Sequence, residues 1–370
     1  MAKIDYKKSG VNYDLLDPFK ILAQKTAAKT GGNIKYLGLK EMAESRGESC
    51  FLIETKDGYL AHVEEGLGTK NLIADAMQKL TGKSYYDNIA QDTVATIVND
   101  LITLGALPIS VAMHLAVGDS EWFRNKKRME DLVKGWERAC GLASAVWSGG
   151  ETPTLKGIIE KDSALLGGSA VGIIPKKSQL IKGDIKNGDR IILLESSGIH
   201  ANGASLARKI AERVSGGYKA KMSDGKSFGE GLLAPTIIYV PIIKDCMAAG
   251  IKLHYTSHIT GHGWRKLMRS TKPFHYVIEE ITEPLPIFKF IQKNSGLSEK
   301  EMYATFNMGA GFALYVDKKD AKKVLNICAK NRIQAWDAGY VKKEGNTKKV
   351  SILPKGIEFF GESLAVRQSH

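Results

Sequence analysis

The chain has 370 residues, 43% of them hydrophobic, and 53 lysines and arginines against 40 aspartates and glutamates give a formal net charge of +13. That length suits two or three domains and that apolar content suits a packed core, which excludes a chain dominated by disorder. No apolar run reaches the roughly 18 residues of a membrane span, and Met1–Lys8 offers no apolar stretch for a signal peptide, so the sequence predicts a cytoplasmic protein without a membrane partner.

In chain order, Met1 to Gly32 is polar and partly helical, an edge element or a mobile flap. Strands are predicted at Glu48–Glu54, Tyr59–Glu64, Pro108–Leu115, Ala143–Trp147 and Ser163–Ile174, with helices at Lys70–Leu80, Ile89–Thr103 and Ser120–Cys140. After a join near Pro175-Lys176-Lys177, strands follow at Arg190–Glu195, Phe274–Ile281, Met308–Val316 and Ala335–Val341. Helices are predicted there at Gly203–Val214, Pro235–Ala249, Gly263–Ser270, Pro286–Ser295 and Asp317–Asn331. The pattern is that of two α/β units, residues 1–174 and 175–370. Cys50, Cys140, Cys246 and Cys328 are isolated, with no pair spaced for zinc or redox chemistry, and read as reduced core thiols. The basic residues are spread along the chain, with short clusters such as Arg124-Asn125-Lys126-Lys127-Arg128, which disfavours a nucleic-acid partner.

Ser196-Ser197-Gly198-Ile199-His200-Ala201-Asn202-Gly203 sets a histidine and an asparagine on a turn between a strand and a helix, where backbone amides favour phosphate. An ordinary surface histidine on a tight turn is the alternative. Glu65-Gly66-Leu67-Gly68-Thr69-Lys70 also follows a strand and opens a helix. Its glycines admit a close anion while Thr69 and Lys70 supply a hydroxyl and a cation, although the spacing is neither a Walker A loop nor a dinucleotide fingerprint. On the helix that follows, Asp92, Thr96, Asn99, Asp100 and Thr103 form a polar stripe of the solvent-facing kind. Yet Asn99 and Asp100 are short acceptors, and short carboxylates suit Mg²⁺ bridged to phosphates. Ser148-Gly149-Gly150-Glu151 mounts a carboxylate beyond a glycine turn, so Glu65, Asp100 and Glu151 together are candidate ligands for one or two Mg²⁺ ions. In Ser257-His258-Ile259-Thr260-Gly261-His262-Gly263 the glutamate of a zinc-protease motif is missing, and an anion-binding turn with His258 as donor is the favoured reading. Thr305–Phe312 is a glycine-rich strand entry that close strand packing also explains.

Taken in order, these segments resemble the aminoimidazole ribonucleotide synthetase (phosphoribosylformylglycinamidine cyclo-ligase) family. The match runs nearly end to end, from Tyr6-Lys7-Lys8-Ser9-Gly10-Val11 through Gly66–Lys70, Val98–Leu101, Gly149–Thr152, Ser196–Gly203, Leu232–Tyr239 and His258–Gly261 to Thr305–Gly309. The resemblance implies a homodimer of two-domain α/β subunits of the α+β type, whose N-terminal sheets pair across the dimer and whose C-terminal mixed α/β domain completes the site. It implies ATP-dependent ring closure of formylglycinamidine ribonucleotide, a small phosphorylated substrate, in purine biosynthesis, through phosphorylation of the formyl oxygen. Lys70, Asp100 and His200 would be catalytic. Glu65, Gly66, Gly68, Thr69, Asn99, Gly150, Ser197, Asn202 and His258 would hold ATP, and Mg²⁺ would sit on Glu65, Asp100 and Glu151.

This chain departs from the family pattern in five places. It has Glu65 for an aspartate, Leu37–Ser49 for a Gly-Gly-Phe-Gly segment, and Thr154-Leu155-Lys156 for Glu-Met-Pro; an aspartate near Leu165 is missing, and His262 replaces a glycine. Two other readings stay open. One is another ATP-using enzyme of the same superfamily, such as thiamine monophosphate kinase, selenophosphate synthetase or formylglycinamidine ribonucleotide synthetase; the other is a non-catalytic nucleotide-binding dimer.

Overall fold

A computed structural model describes residues 13–364, so the Tyr6–Val11 motif lies outside the described residues. The first sheet has six strands, β1 (Lys40–Glu41), β2 (Phe51–Glu54), β3 (Tyr59–Gly66), β4 (Leu107–Val117), β5 (Val146–Glu151) and β6 (Ala164–Ile174), in the order β1-β2-β3-β6-β4-β5. Only the β4–β5 pair is parallel. Helices α1 (Tyr13–Ala28), α2 (Lys70–Thr81), α3 (Tyr86–Leu101) and α4 (Lys126–Leu142) belong to this half, and α3 lies against β3, β6 and α4. The spacing of Ile89, Val94, Ile97, Val98 and Leu101 gives α3 a fully buried apolar stripe.

The second sheet has seven strands: β7 (Arg190–Glu195), β8 (Leu253–His258), β9 (His275–Ile278), β10 (Ala310–Val316), β11 (Ala335–Lys342), β12 (Lys349–Ile352) and β13 (Ile357–Phe360). Their order is β13-β12-β9-β11-β7-β10-β8, with β12 and β9 parallel and the other neighbours antiparallel. Helices α5 (Ala204–Arg213), α6 (Phe228–Leu232), α7 (Val240–Ala248), α8 (Pro286–Ser295), α9 (Glu299–Thr305) and α10 (Ala321–Lys330) surround it, α10 packing on β7, β11 and α7. Local chemistry explains the ends of α8, where Pro286 occupies the first turn and Gly296 stops the helix in the left-handed region at φ 73°. The fold is therefore mixed α/β in a two-domain layout.

Strands β12 and β13 and helices α6 and α9 add to the predicted elements, and two further differences bear on the site. The Gly263–Met268 segment is a 3₁₀ helix rather than an α-helix. Strand β8, Leu-His-Tyr-Thr-Ser-His, has no apolar run to announce it, yet every residue is buried. Its polar groups are satisfied from neighbours: His254 Nδ1 meets Asp189 Oδ2 at 2.8 Å, Thr256 donates to Thr103 O at 2.8 Å, and Ser257 donates to Lys266 O at 2.9 Å. All four cysteines are free and buried, and no described helix is long and apolar enough to cross a membrane.

Candidate functional site

The polar stripe of α3 faces protein, not water. Segment 232–239 of the second half lies along it: Asn88 Nδ2 donates to Leu233 O (2.9 Å), Gln91 Nε2 to Thr236 O (2.9 Å) and Asn99 Nδ2 to Ile237 O (2.8 Å), while Asn99 Oδ1 accepts from Tyr239 N (2.9 Å). Asn99, which the sequence reading assigns to nucleotide, is wholly buried, and its amide joins the halves. Lys70 is likewise 0% exposed, with Nζ 2.8 Å from Asp92 Oδ2 and 3.0 Å from Ala234 O. Those two oxygens hold the ammonium that the sequence reading assigns to a phosphate. Thr69 Oγ1 lies 3.1 Å from Ser205 Oγ on α5, and Gly68 turns the intervening loop at φ 77°.

A cleft of about 270 Å³ opens where the halves meet, lined by Glu48, Glu65, Gly66, Thr96 and Asp100 from the first half and by Asn202, Thr260, His262, Lys266 and Arg269 from the second. Carboxylates thus face two cations across the seam. Burial and the neighbouring Asp100 push Glu65 up to about 7, against the pull of Lys266 and Arg269. Burial alone would raise Asp100 too, but the hydrogen bond and charge of His258, with Lys266 and Arg269, hold it below the usual carboxylate range. The Lys266 amine is drawn down to about 8, first by burial and then by Arg269. Arg269 also reaches the first half directly, donating to Ser49 Oγ at 2.9 Å and Gly47 O at 3.0 Å.

Behind the cleft wall stand the two histidines. His258 Nδ1 is 2.6 Å from Asp100 Oδ1, and His258 Nε2 is buried without a hydrogen-bond partner among the described residues. His200, in the left-handed region at φ 56°, accepts the Ser197 amide on Nε2 at 3.3 Å, so its proton sits on Nδ1, which is buried and unpartnered. Burial, then the charges of His258 and Lys70, push His200 well below the ordinary histidine range, and the ring is neutral. At 2% exposure His200 does not line the cleft itself; its neighbours Ala201 and Asn202 do. Ser197 Oγ, which the sequence reading assigns to ATP, donates to Pro235 O at 2.5 Å. Asn307 staples the same turn, accepting from Ser196 Oγ at 2.7 Å and donating to Gly198 O at 2.9 Å. Gly311 permits this packing, since a Cβ there would come within 2.5 Å of His200 Cε1 and 2.1 Å of Tyr239 Oη.

The three-carboxylate set is not assembled within one chain. Glu65 pairs with Gly168, Gly168 with Met113 and Met113 with Gly150, so exposed Gly150 and Glu151 stand three strands, about 14 Å, from Glu65. Among the described residues no group of three or more His, Cys, Asp and Glu side chains is arranged to hold a metal ion. Glu65 and Asp100 do share the cleft, and two carboxylates suffice for Mg²⁺ that keeps waters and phosphate oxygens. Glu48, Thr96, Thr260, Lys266 and Arg269 are cleft residues that sequence reasoning missed. No short motif marks Glu48, Lys266 or Arg269, while Thr96 stands in the α3 stripe and Thr260 in the Ser257–Gly263 turn, segments read for Asp100 and His258 instead. His262 takes φ 79°, a conformation glycine adopts without strain, which accounts for the glycine of the family pattern at that position. A larger cleft of about 630 Å³, bordered by Arg213, Lys221, Lys289 and Phe290, lies between the end of α5 and α8, and none of these site residues lines it.

Comparison with known proteins fits this geometry. The AIR synthase related protein N-terminal domain matches residues 47–174, and the AIR synthase related protein C-terminal domain matches residues 186–351. The phosphoribosylformylglycinamidine cyclo-ligase of Methanococcus maripaludis is 34% identical over 357 residues, 95% of this chain and 97% of that protein. The protein of the same name from Methanocaldococcus jannaschii is 39% identical over 292 residues, 78% and 80% of the two chains. Among solved structures, AaThiL complexed with AMPPCP and TMP has a TM-score of 0.59 at 14% identity, covering 95% of each chain. T. maritima PurL complexed with ATP has a TM-score of 0.53 at 13% identity, covering 85% of this chain and 46% of that one, and these two likenesses speak to the fold alone. With both domains matched in order and relatives above 30% identity along nearly its whole length, the chain belongs to the AIR synthase related family.

Proposed function

We propose that the protein is an ATP-dependent cyclo-ligase that closes formylglycinamidine ribonucleotide to aminoimidazole ribonucleotide. The observation that carries this reading is the match of 95% of the chain to 97% of a relative named phosphoribosylformylglycinamidine cyclo-ligase. The cleft supports it chemically. Lys266 and Arg269 attract the oxygens of a transferring phosphoryl group, and Asn202, Thr96 and Thr260 offer hydrogen bonds that orient nucleotide and substrate. When bound, Mg²⁺ neutralises phosphate charge; Glu65 and Asp100 would hold it, and His258 keeps Asp100 ionised for that purpose. The phosphoryl group passes to the formyl oxygen, the amidine nitrogen attacks the activated carbon, and phosphate leaves.

The working unit is a homodimer. The face of the first sheet turned away from α3 carries Leu165 (51% exposed), Val171 (41%) and Ile173 (37%) in alternation on β6, with Ile109 and Val146 alongside. An apolar sheet face of this kind is an association surface. Residues 1–174 act as the dimerisation half and 175–370 complete the site.

Incubation with Mg²⁺-ATP and formylglycinamidine ribonucleotide, with aminoimidazole ribonucleotide and ADP measured together, tests the reading. Equal amounts are expected. ADP without the aminoimidazole product identifies another phosphoryl-transfer enzyme of the superfamily, and neither product identifies a nucleotide-binding dimer.

A further inference from the structure

We infer that Lys70 is a positioning residue, not a phosphate ligand: with Asp92 it forms a neutral-sum clamp that fixes Ala234–Thr236 and, through that segment, the turn carrying His200 and Asn202. The inference rests on the cyclo-ligase reading. Each step is a contact in the structure. Asp92 lies on α3 with 0% exposure and holds Lys70 Nζ at 2.8 Å on one oxygen. Its other oxygen accepts both the Thr236 amide (2.8 Å) and the Thr236 hydroxyl (2.6 Å). Lys70 in turn donates to Ala234 O at 3.0 Å. Between these anchored residues, Pro235 O receives Ser197 Oγ at 2.5 Å, and the Ser197 amide donates to His200 Nε2 at 3.3 Å. The path runs from a fully buried charge pair in the first half, through buried Thr236 and half-buried Ala234, Pro235 and Ser197, to the site turn of the second.

The physics separates this role from phosphate binding. Burial pushes Asp92 toward its neutral form and Lys70 toward its own; their mutual attraction opposes this and, for Asp92, so do the two hydrogen bonds from Thr236. Removing one partner strands the other in an apolar seam, whereas neutralising both removes the desolvation penalty along with the attraction. A lysine that touches ATP, by contrast, cannot be rescued by a change at Asp92.

The test is a double-mutant cycle in the full chain, with Lys70→Met, Asp92→Asn and the double variant. Turnover, KM for ATP and calorimetric ATP affinity are read together with thermal unfolding. Each single change should lower kcat at least about tenfold with KM for ATP nearly unchanged, and the double variant should regain kcat to within about threefold of wild type. ATP affinity of the double variant should stay within about twofold of wild type, a readout that does not depend on turnover. If a single variant does not fold, the double variant is compared with wild type directly. A double variant as inactive as Lys70→Met, or one that binds ATP more than about tenfold more weakly than wild type, overturns the clamp. Wild-type protein that binds ATP yet makes no aminoimidazole ribonucleotide overturns the cyclo-ligase reading instead, and the affinity comparison still judges whether Lys70 touches nucleotide.

Discussion

Lys266 is charged below about pH 8 and neutral above it, while the unfolded chain keeps that proton to its ordinary value of 10.5. Two consequences follow with opposite signs. KM for ATP should rise as pH passes from 7 to 9, and Lys266→Arg should flatten that rise, as steady-state kinetics across the range will report. The unfolded state binds more protons between about 8 and 10.5, so this group's contribution to stability grows with pH over that window. Glu65 behaves in the reverse manner. Its folded value of about 7 exceeds the ordinary 4.5, so the stability it lends is complete below 4.5 and lost as pH rises through 7. Thermal unfolding without added Mg²⁺ should therefore show a smaller decline between pH 5 and 7.5 in Glu65→Gln than in wild type. Glu65, Gly66 and Asn202 were legible as cleft residues because each sits at or beside a turn that short-range sequence marks, and Asp100 because a short carboxylate stands out on a helix stripe. Lys70, Asn99 and Ser197 carry comparable marks but bond within the protein, Lys70 and Asn99 to partners more than 100 residues away and Ser197 to Pro235, 38 residues on. His200 and His258 are different again, backing the cleft rather than lining it.

At the level of elements, α3 decides how the halves meet. Asn99→Ala leaves Ile237 O and the Tyr239 amide unpaired in the interior, and should destabilise the protein by about 2–4 kcal/mol in urea unfolding. Thr96→Ala, whose hydroxyl bonds only to Asp92 O of its own helix, should have little effect on the same curve. The apolar stripe of α3 was readable from its helical spacing. Its polar stripe was not, because water and a docked protein segment demand the same side chains. Strand Arg190–Glu195 and helix Pro286–Ser295 coincide with their predicted ends, being announced by an apolar run and by Pro286 with Gly296. Strand β8 escaped because its interior is polar, each group matched by Asp189, Thr103, Lys266 or Asp100 rather than by the alternation that reveals a strand.

For the molecule as a whole, the open apolar face of β6 sets the quaternary prediction. Wild-type protein should run as a dimer in light scattering, and the Val171→Glu, Ile173→Glu double change should yield a folded monomer, since both positions are exposed in the single chain. The seam between the halves has a further implication, one of timing. Asp92 and Asp100 emerge from the ribosome 144 and 158 residues before Thr236 and His258, the groups that satisfy them. At about 5–20 residues per second, that gap is roughly 7 to 30 seconds. Throughout it the newborn first half must keep α3's polar face in water. The cleft therefore comes into being late and at once, when segment 232–239 and then β8 settle onto a surface prepared well before them, and a chain halted before Tyr239 carries one complete sheet and no active site.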